Sequence, residues 1–205
     1  MMKQYIMKVV VDHSLERVFR TLVIPGDMTV DQLACTIIAS LNGYGSYPYH
    51  ICLKDKVYIS DDLFQEENEI FASEVSLEQI DIKPNDCFLM IYDPTERYEF
   101  EIEVLDCSNV EASQVAVLDG QGGGIVEDCR MIFENYYLDL EKDLTEFLNH
   151  LQLTLDETGV LEEFDLDECN AKLNERIQKC QEIFEESAND ENVIYWNGPT
   201  SMLTN

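Results

Sequence analysis

The stretch Asp86 to Leu105, DCFLMIYDPTERYEFEIEVL, decides the fold. Phe88-Leu89-Met90-Ile91-Tyr92 is a short, almost wholly apolar run, the pattern of a strand buried on both faces. Asp93-Pro94-Thr95 is turn chemistry, because Pro presets one backbone dihedral and Asp bonds its own backbone. Beyond it, Tyr98, Phe100, Ile102 and Val104 alternate with Glu99, Glu101 and Glu103. That period of two puts one face against a core and the other in water. The stretch predicts a β-hairpin at the centre of a sheet.

Upstream, Gln4–Val11 and Val18–Ile24 are β-rich runs around a polar bend and predict a first hairpin, ended by Pro25-Gly26-Asp27. Thr29 with Gln32 three residues later fits a capping box. The helix it starts carries Val30, Leu33, Ala34, Ile37, Ile38 and Leu41 on one face and closes at Asn42-Gly43. Tyr49–Ser60 predicts a third strand with a tight bend at Lys54-Asp55-Lys56, Asp61–Glu74 an acidic loop, and Ser76–Ile80 one helical turn. Downstream, Gln114–Leu118 reads as a short strand and Asp119–Gly124 as a flexible glycine-rich loop. From Glu127 the period is helical, through Phe133, Tyr137, Leu140 and Leu144 to Leu151. A last helix is expected from Asp165 to about Ala188, with Cys169, Leu173, Ile177, Cys180 and Phe184 inward; Trp196 lies in an expected loose tail.

The element order is that of an α+β chain of β-grasp (ubiquitin-like) type: a mixed sheet crossed by one helix, plus a C-terminal helical part. The expected boundaries are residues 1–118 for this core, 119–127 for a glycine-rich connector, 128–188 for the helical part and 189–205 for the tail. Such a likeness of fold carries no activity with it.

Charge and cysteines limit the function. Against 42 Asp and Glu stand 13 Lys and Arg, a formal charge of −29. Affinity for nucleic acid comes from Lys and Arg displacing counterions, so direct nucleic-acid binding is not expected, nor is attachment to an anionic membrane. Cys35, Cys52, Cys87, Cys107, Cys129, Cys169 and Cys180 are odd in number and form no CxxC pair, and the start of the chain is strand-like. A reducing, cytoplasmic setting is the expectation. No apolar run is long enough to span a bilayer.

Four stretches taken in order resemble the plasmid pRiA ORF-three-like family, also met as passenger proteins of insertion sequences. They are Phe19–Asp27 with Leu33 and Gly43-Tyr44; Tyr92-Asp93 with Tyr98–Ile102; Gly120-Gln121-Gly122 with Glu127-Asp128; and Phe164–Glu168 with Asn170 and Leu173. The resemblance implies that Asp93, Tyr98, Glu99, Gly120, Gly122, Glu127 and Asp128 occupy family-motif positions. The chain departs from the family at other polar positions: Ala34 and Phe100 replace histidines, Tyr98 a tryptophan, Pro94-Thr95-Glu96 a Phe-Gly-Asp turn, and Gly124-Ile125-Val126 a Cys-Pro-Pro.

The remaining chemistry is sparse. Gly120–Gly124 lacks the Lys-Ser or Lys-Thr of a phosphate loop and is flanked by Asp119, Glu127 and Asp128, so it reads as a connector. Asp93, Glu99, Glu127 and Asp128 are oxygen ligands of the type hard cations take, but acidic residues also favour a helix N-terminus; no metal and no cofactor is assigned. His13, His50 and His150 are scattered and give no zinc spacing. Cys35 and Cys129 are the two candidates for a Cys–His nucleophile.

The reading is a non-catalytic protein–protein interaction module with an unidentified protein partner, linked to mobile elements through the resemblance. Two alternatives stay open. One is a carboxylate-based enzyme or metal-binding protein built on Asp93, Glu99, Glu127 and Asp128. The other is an acidic DNA mimic, since alternate strand residues repeat at roughly 6.6–6.8 Å, near the phosphate spacing.

Overall fold

The structure is a computed structural model and describes residues 1–12, 14, 17–60, 65–127, 130–137 and 163–189. Within these, eight strands make one mixed sheet: β1 (Met2–Val11), β2 (Phe19–Pro25), β3 (Tyr49–Leu53), β4 (Lys56–Ile59), β5 (Glu69–Phe71), β6 (Cys87–Tyr92), β7 (Tyr98–Val110) and β8 (Ala116–Gln121). Their order across the sheet is β5-β4-β3-β6-β7-β1-β2-β8. All neighbours are antiparallel except β4 and β5. The β6–β7 hairpin therefore occupies the middle of the sheet. β7 does more than extend an edge: it joins β6 to β1 and so welds the two halves of the chain.

Alternation sets the two faces. Tyr5, Met7, Val9 and Val11 of β1, Leu22 and Ile24 of β2, Met90 and Tyr92 of β6, and Tyr98, Phe100, Ile102 and Val104 of β7 are buried on one face. Helix α1 (Val30–Ser40) lies over that face. Its start is the anticipated box, with Thr29 accepting from Gln32 N–H and the Gln32 side chain accepting from Thr29 N–H. At the start of the single turn α2 (Leu77–Ile80), the Gln79 side chain accepts from Ser76 N–H at 2.7 Å.

Helix α1 is buried nearly all round, Cys35, Thr36 and Ala39 included, because α4 (Leu166–Asn189) closes over its outer side. Asp165 caps α4 by accepting from Glu168 N–H at 2.8 Å, and Cys169, Leu173, Cys180 and Phe184 form its buried stripe, as the period required. The layers run sheet, α1, α4. Helix α3 (Arg130–Tyr137) fills the end of the core, with Phe133 edge-on to Tyr98 at 5.5 Å between ring centroids.

Three expectations are corrected. The acidic loop contains β5 and a 3-10 turn at Ala72–Glu74; three residues in a parallel edge pair leave no periodic trace. β7 continues to Val110, past the end of its alternation at Leu105, because a bulge lets Asp106–Val110 pair with Met2–Ile6. Asp119 and Gly120 are not a free loop but strand residues paired with Thr21 and Arg20. The reach of α3's helical period from Leu140 to Leu151, and the tail with Trp196, lie outside the described residues.

Candidate functional site

Three of the family-motif residues, Asp93, Tyr98 and Glu127, meet at one end of the sheet, around the β6–β7 turn. Asp93 sits in the left-handed region, at φ +51°, a conformation Asp tolerates better than most residues. It is 2% exposed, and its carboxylate accepts from Thr95 N–H at 3.1 Å and Glu96 N–H at 3.2 Å. Burial raises its pKa, and the two amides offset part of that rise. Asp93 is a turn former.

Tyr92 and Tyr98 face each other across the hairpin on the core side. The Tyr98 hydroxyl donates to Val126 O at 2.8 Å and accepts from Val126 N–H at 3.2 Å. The Tyr92 hydroxyl donates to Glu127 Oε1 at 2.5 Å. The same oxygen accepts from Tyr44 N–H at 2.6 Å and Gly45 N–H at 3.1 Å. Glu127 is thus a clamp between the hairpin and the segment that leaves α1. Burial, reinforced by Glu127, pushes the Tyr92 hydroxyl far above the ordinary tyrosine range, and burial raises Tyr98 too.

The glycine stretch is fastened along its length. Gly123 N–H donates to the Tyr137 hydroxyl at 2.8 Å, the Asn42 amide donates to Gly123 O, and Ile125 N–H donates to Leu41 O at 2.9 Å. Gly124 is at φ +123°, and a Cβ there would come within 2.1 Å of the Leu41 carbonyl oxygen, so no other residue fits. Gly120 and Gly122 serve Arg20. A Cβ on Gly120 would meet Arg20 Cδ and the Phe164 ring at 2.9 Å, and Gly122 O accepts from Arg20 at 2.9 Å. The carbonyls of this stretch thus face a cation, which is the opposite polarity from a phosphate cradle.

Arg20 is 2% exposed, and its guanidinium donates to the main-chain carbonyls of Ser40, Phe19, Gln121 and Gly122 and lies beside the Cys169 thiol. It stacks on Phe164 at 4.4 Å. Burial lowers its pKa to about 10, which leaves it charged at neutral pH. Sequence reading passed over Arg20, although Phe19, Thr21 and Val23 alternate with Arg20, Leu22 and Ile24 and so place it on the core face.

Glu99 goes elsewhere. Its side chain pairs with Arg97 at 2.9 Å, and its backbone exchanges hydrogen bonds with Asp12, N–H to Asp12 Oδ1 at 2.6 Å and O from Asp12 N–H at 2.7 Å. Asp12, missed as part of a polar bend, is 5% exposed, and its other oxygen meets Arg130 at 3.3 Å. Burial raises Asp12 to about 6, against the Glu99 amide and Arg130, which hold it down. Arg130 lies over the Tyr98 ring at 5.5 Å and donates to Glu96 O at 2.8 Å, so it ties α3 to the hairpin turn.

Asp93, Tyr98 and Glu127 are thus brought to one end of the sheet, Gly120 and Gly122 to the Arg20 side, and Glu99 to the other face; Asp128 lies outside the described residues, as do Cys129, His13 and His150. Cys35 is buried, and its thiol neighbours that of Cys180. Among the described residues no group of three or more His, Cys, Asp or Glu side chains could hold a metal ion. No described helix is long and apolar enough to cross a membrane.

Among the described residues, no helix packs on the other face of the sheet. Glu101 and Glu103 are exposed there, among half-buried Ile6, Val10, Phe19, Val23 and Leu89. By register, Asp106 and Asp119 share the face, and Lys8 stands opposite Glu103.

Comparison with solved structures finds a crystal structure of a protein of unknown function from Methanosarcina mazei Go1, with a TM-score of 0.61 and 14% sequence identity, covering 82% of this chain and 97% of that one. At that identity the likeness concerns the fold. Comparison with curated proteins finds no match. The family described as plasmid pRiA4b ORF-3-like protein matches residues 3–173, from β1 into α4. The chain belongs to the plasmid pRiA4b ORF-3-like family.

Proposed function

We propose that this protein is a non-catalytic module that binds another protein across the sheet face of Glu101 and Glu103, and that the partner's contacting surface is basic with apolar patches. The observation that carries this reading is the exposure of Glu101 and Glu103 at the centre of the sheet, amid half-buried aliphatic and aromatic side chains. A surface that mixes apolar area with one sign of charge suits a partner of the opposite sign. The non-catalytic part is supported by the use made of the motif residues. Glu127 and Tyr92 bond to each other, Tyr98 holds Val126, and Asp93 caps its own turn. The carboxylate-enzyme alternative would require Glu127 to leave Tyr92 and the Tyr44 and Gly45 amides. The plasmid origin in the family's name supports seeking the partner among proteins encoded on mobile elements. A β-grasp kinship of the opening unit is supported by the β1–β2 hairpin followed by α1, within a sheet that is larger than that unit.

The test is quantitative capture from extract of the protein's own cell, comparing the wild-type chain with Glu101→Lys/Glu103→Lys at low and physiological salt. The expected result is a set of basic proteins retained by the wild type, weakened by salt and lost in the double variant. The same set retained by both proteins would overturn the proposal. Displacement of the captured proteins by duplex DNA would identify the partner as a DNA-binding protein and favour the mimic.

A further inference from the structure

Cys35 lies on the outer side of α1 and Cys180 on the inner stripe of α4, and both are fully buried. Their thiols neighbour each other across the helix–helix contact. The space for Cys180 is made by Gly45, at φ +82°, where a Cβ would stand 2.5 Å from the sulfur. The helix that carries Cys180 is held at several points. Asn170 bonds to β8, Arg176 to Asn42, and the Phe184 ring lies against Tyr49 at 5.4 Å between centroids. Cys169, on the same helix, donates instead to the Ser40 carbonyl at 3.8 Å.

We propose that Cys35 and Cys180 are an oxidisable dithiol, a modification site that takes a small disulfide such as oxidised glutathione as co-reactant and closes into a disulfide fastening α4 to α1. The exchange is balanced in two steps. One protein thiolate attacks a sulfur of the glutathione disulfide, breaks its S–S bond and releases one glutathione thiolate. The second protein thiolate then attacks the protein sulfur of the mixed disulfide and releases the other. Two electrons pass from the cysteines to glutathione, and the two thiol protons end on the two glutathione molecules. The neighbouring thiol and burial push Cys35 well above the usual cysteine range, so the closed helix pair is slow to react. Reaction waits on a lifting of α4, which exposes Cys180. The disulfide would then report, and end, that opening.

The full chain, reduced and freed of reductant, is incubated with oxidised glutathione in the absence and presence of low urea, alkylated, and analysed by intact and peptide mass spectrometry. The expected product has lost two hydrogens, carries a linked Cys35–Cys180 peptide, forms faster in low urea and unfolds at a higher temperature than the reduced chain. Cys35→Ser and Cys180→Ser each abolish the linked peptide, and Cys52→Ser leaves it. Alkylation of both cysteines after prolonged incubation in urea, or a linked peptide that pairs either of them with a different cysteine, would overturn the proposal.

Discussion

Glu127 Oε1 accepts from two backbone amides and the Tyr92 hydroxyl, so one carboxylate oxygen joins three stretches of chain. Hydrogen bonds to a charged group contribute about 1.5–3 kcal/mol each when measured singly. They are not additive here, because the three share one acceptor. Glu127→Ala is expected to cost about 2–4 kcal/mol and Tyr92→Phe about 1–2 kcal/mol in urea unfolding. The double variant should lose clearly less than the two single losses combined. Additive losses would mean that the two groups do not act together. Asp12 gives a second test at the same scale. Its folded pKa is raised from 3.8 to about 6, so its contribution to stability is complete below about pH 4 and is lost as pH rises through about 6. The size is about 3 kcal/mol, from roughly 1.4 kcal/mol per pKa unit. Asp12→Asn keeps an acceptor for the Glu99 amide, and the stability difference between variant and wild type should move in the variant's favour from pH 4.5 to about 7.5. A constant difference across that range would contradict the assignment. Asp93, raised in the same direction, should leave the variant some residual slope.

β8 is the last strand of the sheet, and α4 covers its outer edge with one side chain. The Asn170 amide accepts from Val117 N–H and donates to Val117 O, both at 2.9 Å, and so copies the pairing of a neighbouring strand. Asn170→Ala is expected to destabilise the chain by about 1–2 kcal/mol and to raise its tendency to self-associate, because a bare strand edge templates pairing. Light scattering alongside urea unfolding measures both, and an unchanged scattering signal would show that the edge is protected otherwise. Much at this scale was legible in the sequence. The Thr29–Gln32 capping box, the 86–105 hairpin and the stripe Cys169–Phe184 each carry a local period or a fixed offset. What was illegible depends on distant chain. The end of β7 holds its pairing only because β1 lies beside it, and β5 is three residues whose partner is β4. The glycine stretch looked free because nothing in its own composition announces Arg20, about a hundred residues away. The motif carboxylates could be counted in the sequence, but not that Glu99 would turn away from Glu127.

At the scale of the molecule, the −29 charge acts on folding and on binding together. Self-repulsion opposes the compact state, so raising the salt concentration from 10 to about 300 mM should raise the thermal unfolding midpoint, by screening charges over a Debye length that falls from about 30 Å to below 8 Å. A midpoint unchanged by salt would imply that the carboxylates are already locally compensated. The same field divides into carboxylates that hold the fold and carboxylates that meet solvent, and this division is the central claim. Carbodiimide labelling of carboxyl groups, read residue by residue by mass spectrometry on the native free chain and on the captured complex, tests it most directly. The account predicts that Glu101 and Glu103 label readily in the free chain and are protected in the complex, while Asp93 and Glu127 label poorly in both. Ready labelling of Asp93 and Glu127 in the folded free chain, with protection there rather than at Glu101 and Glu103 on binding, would contradict it.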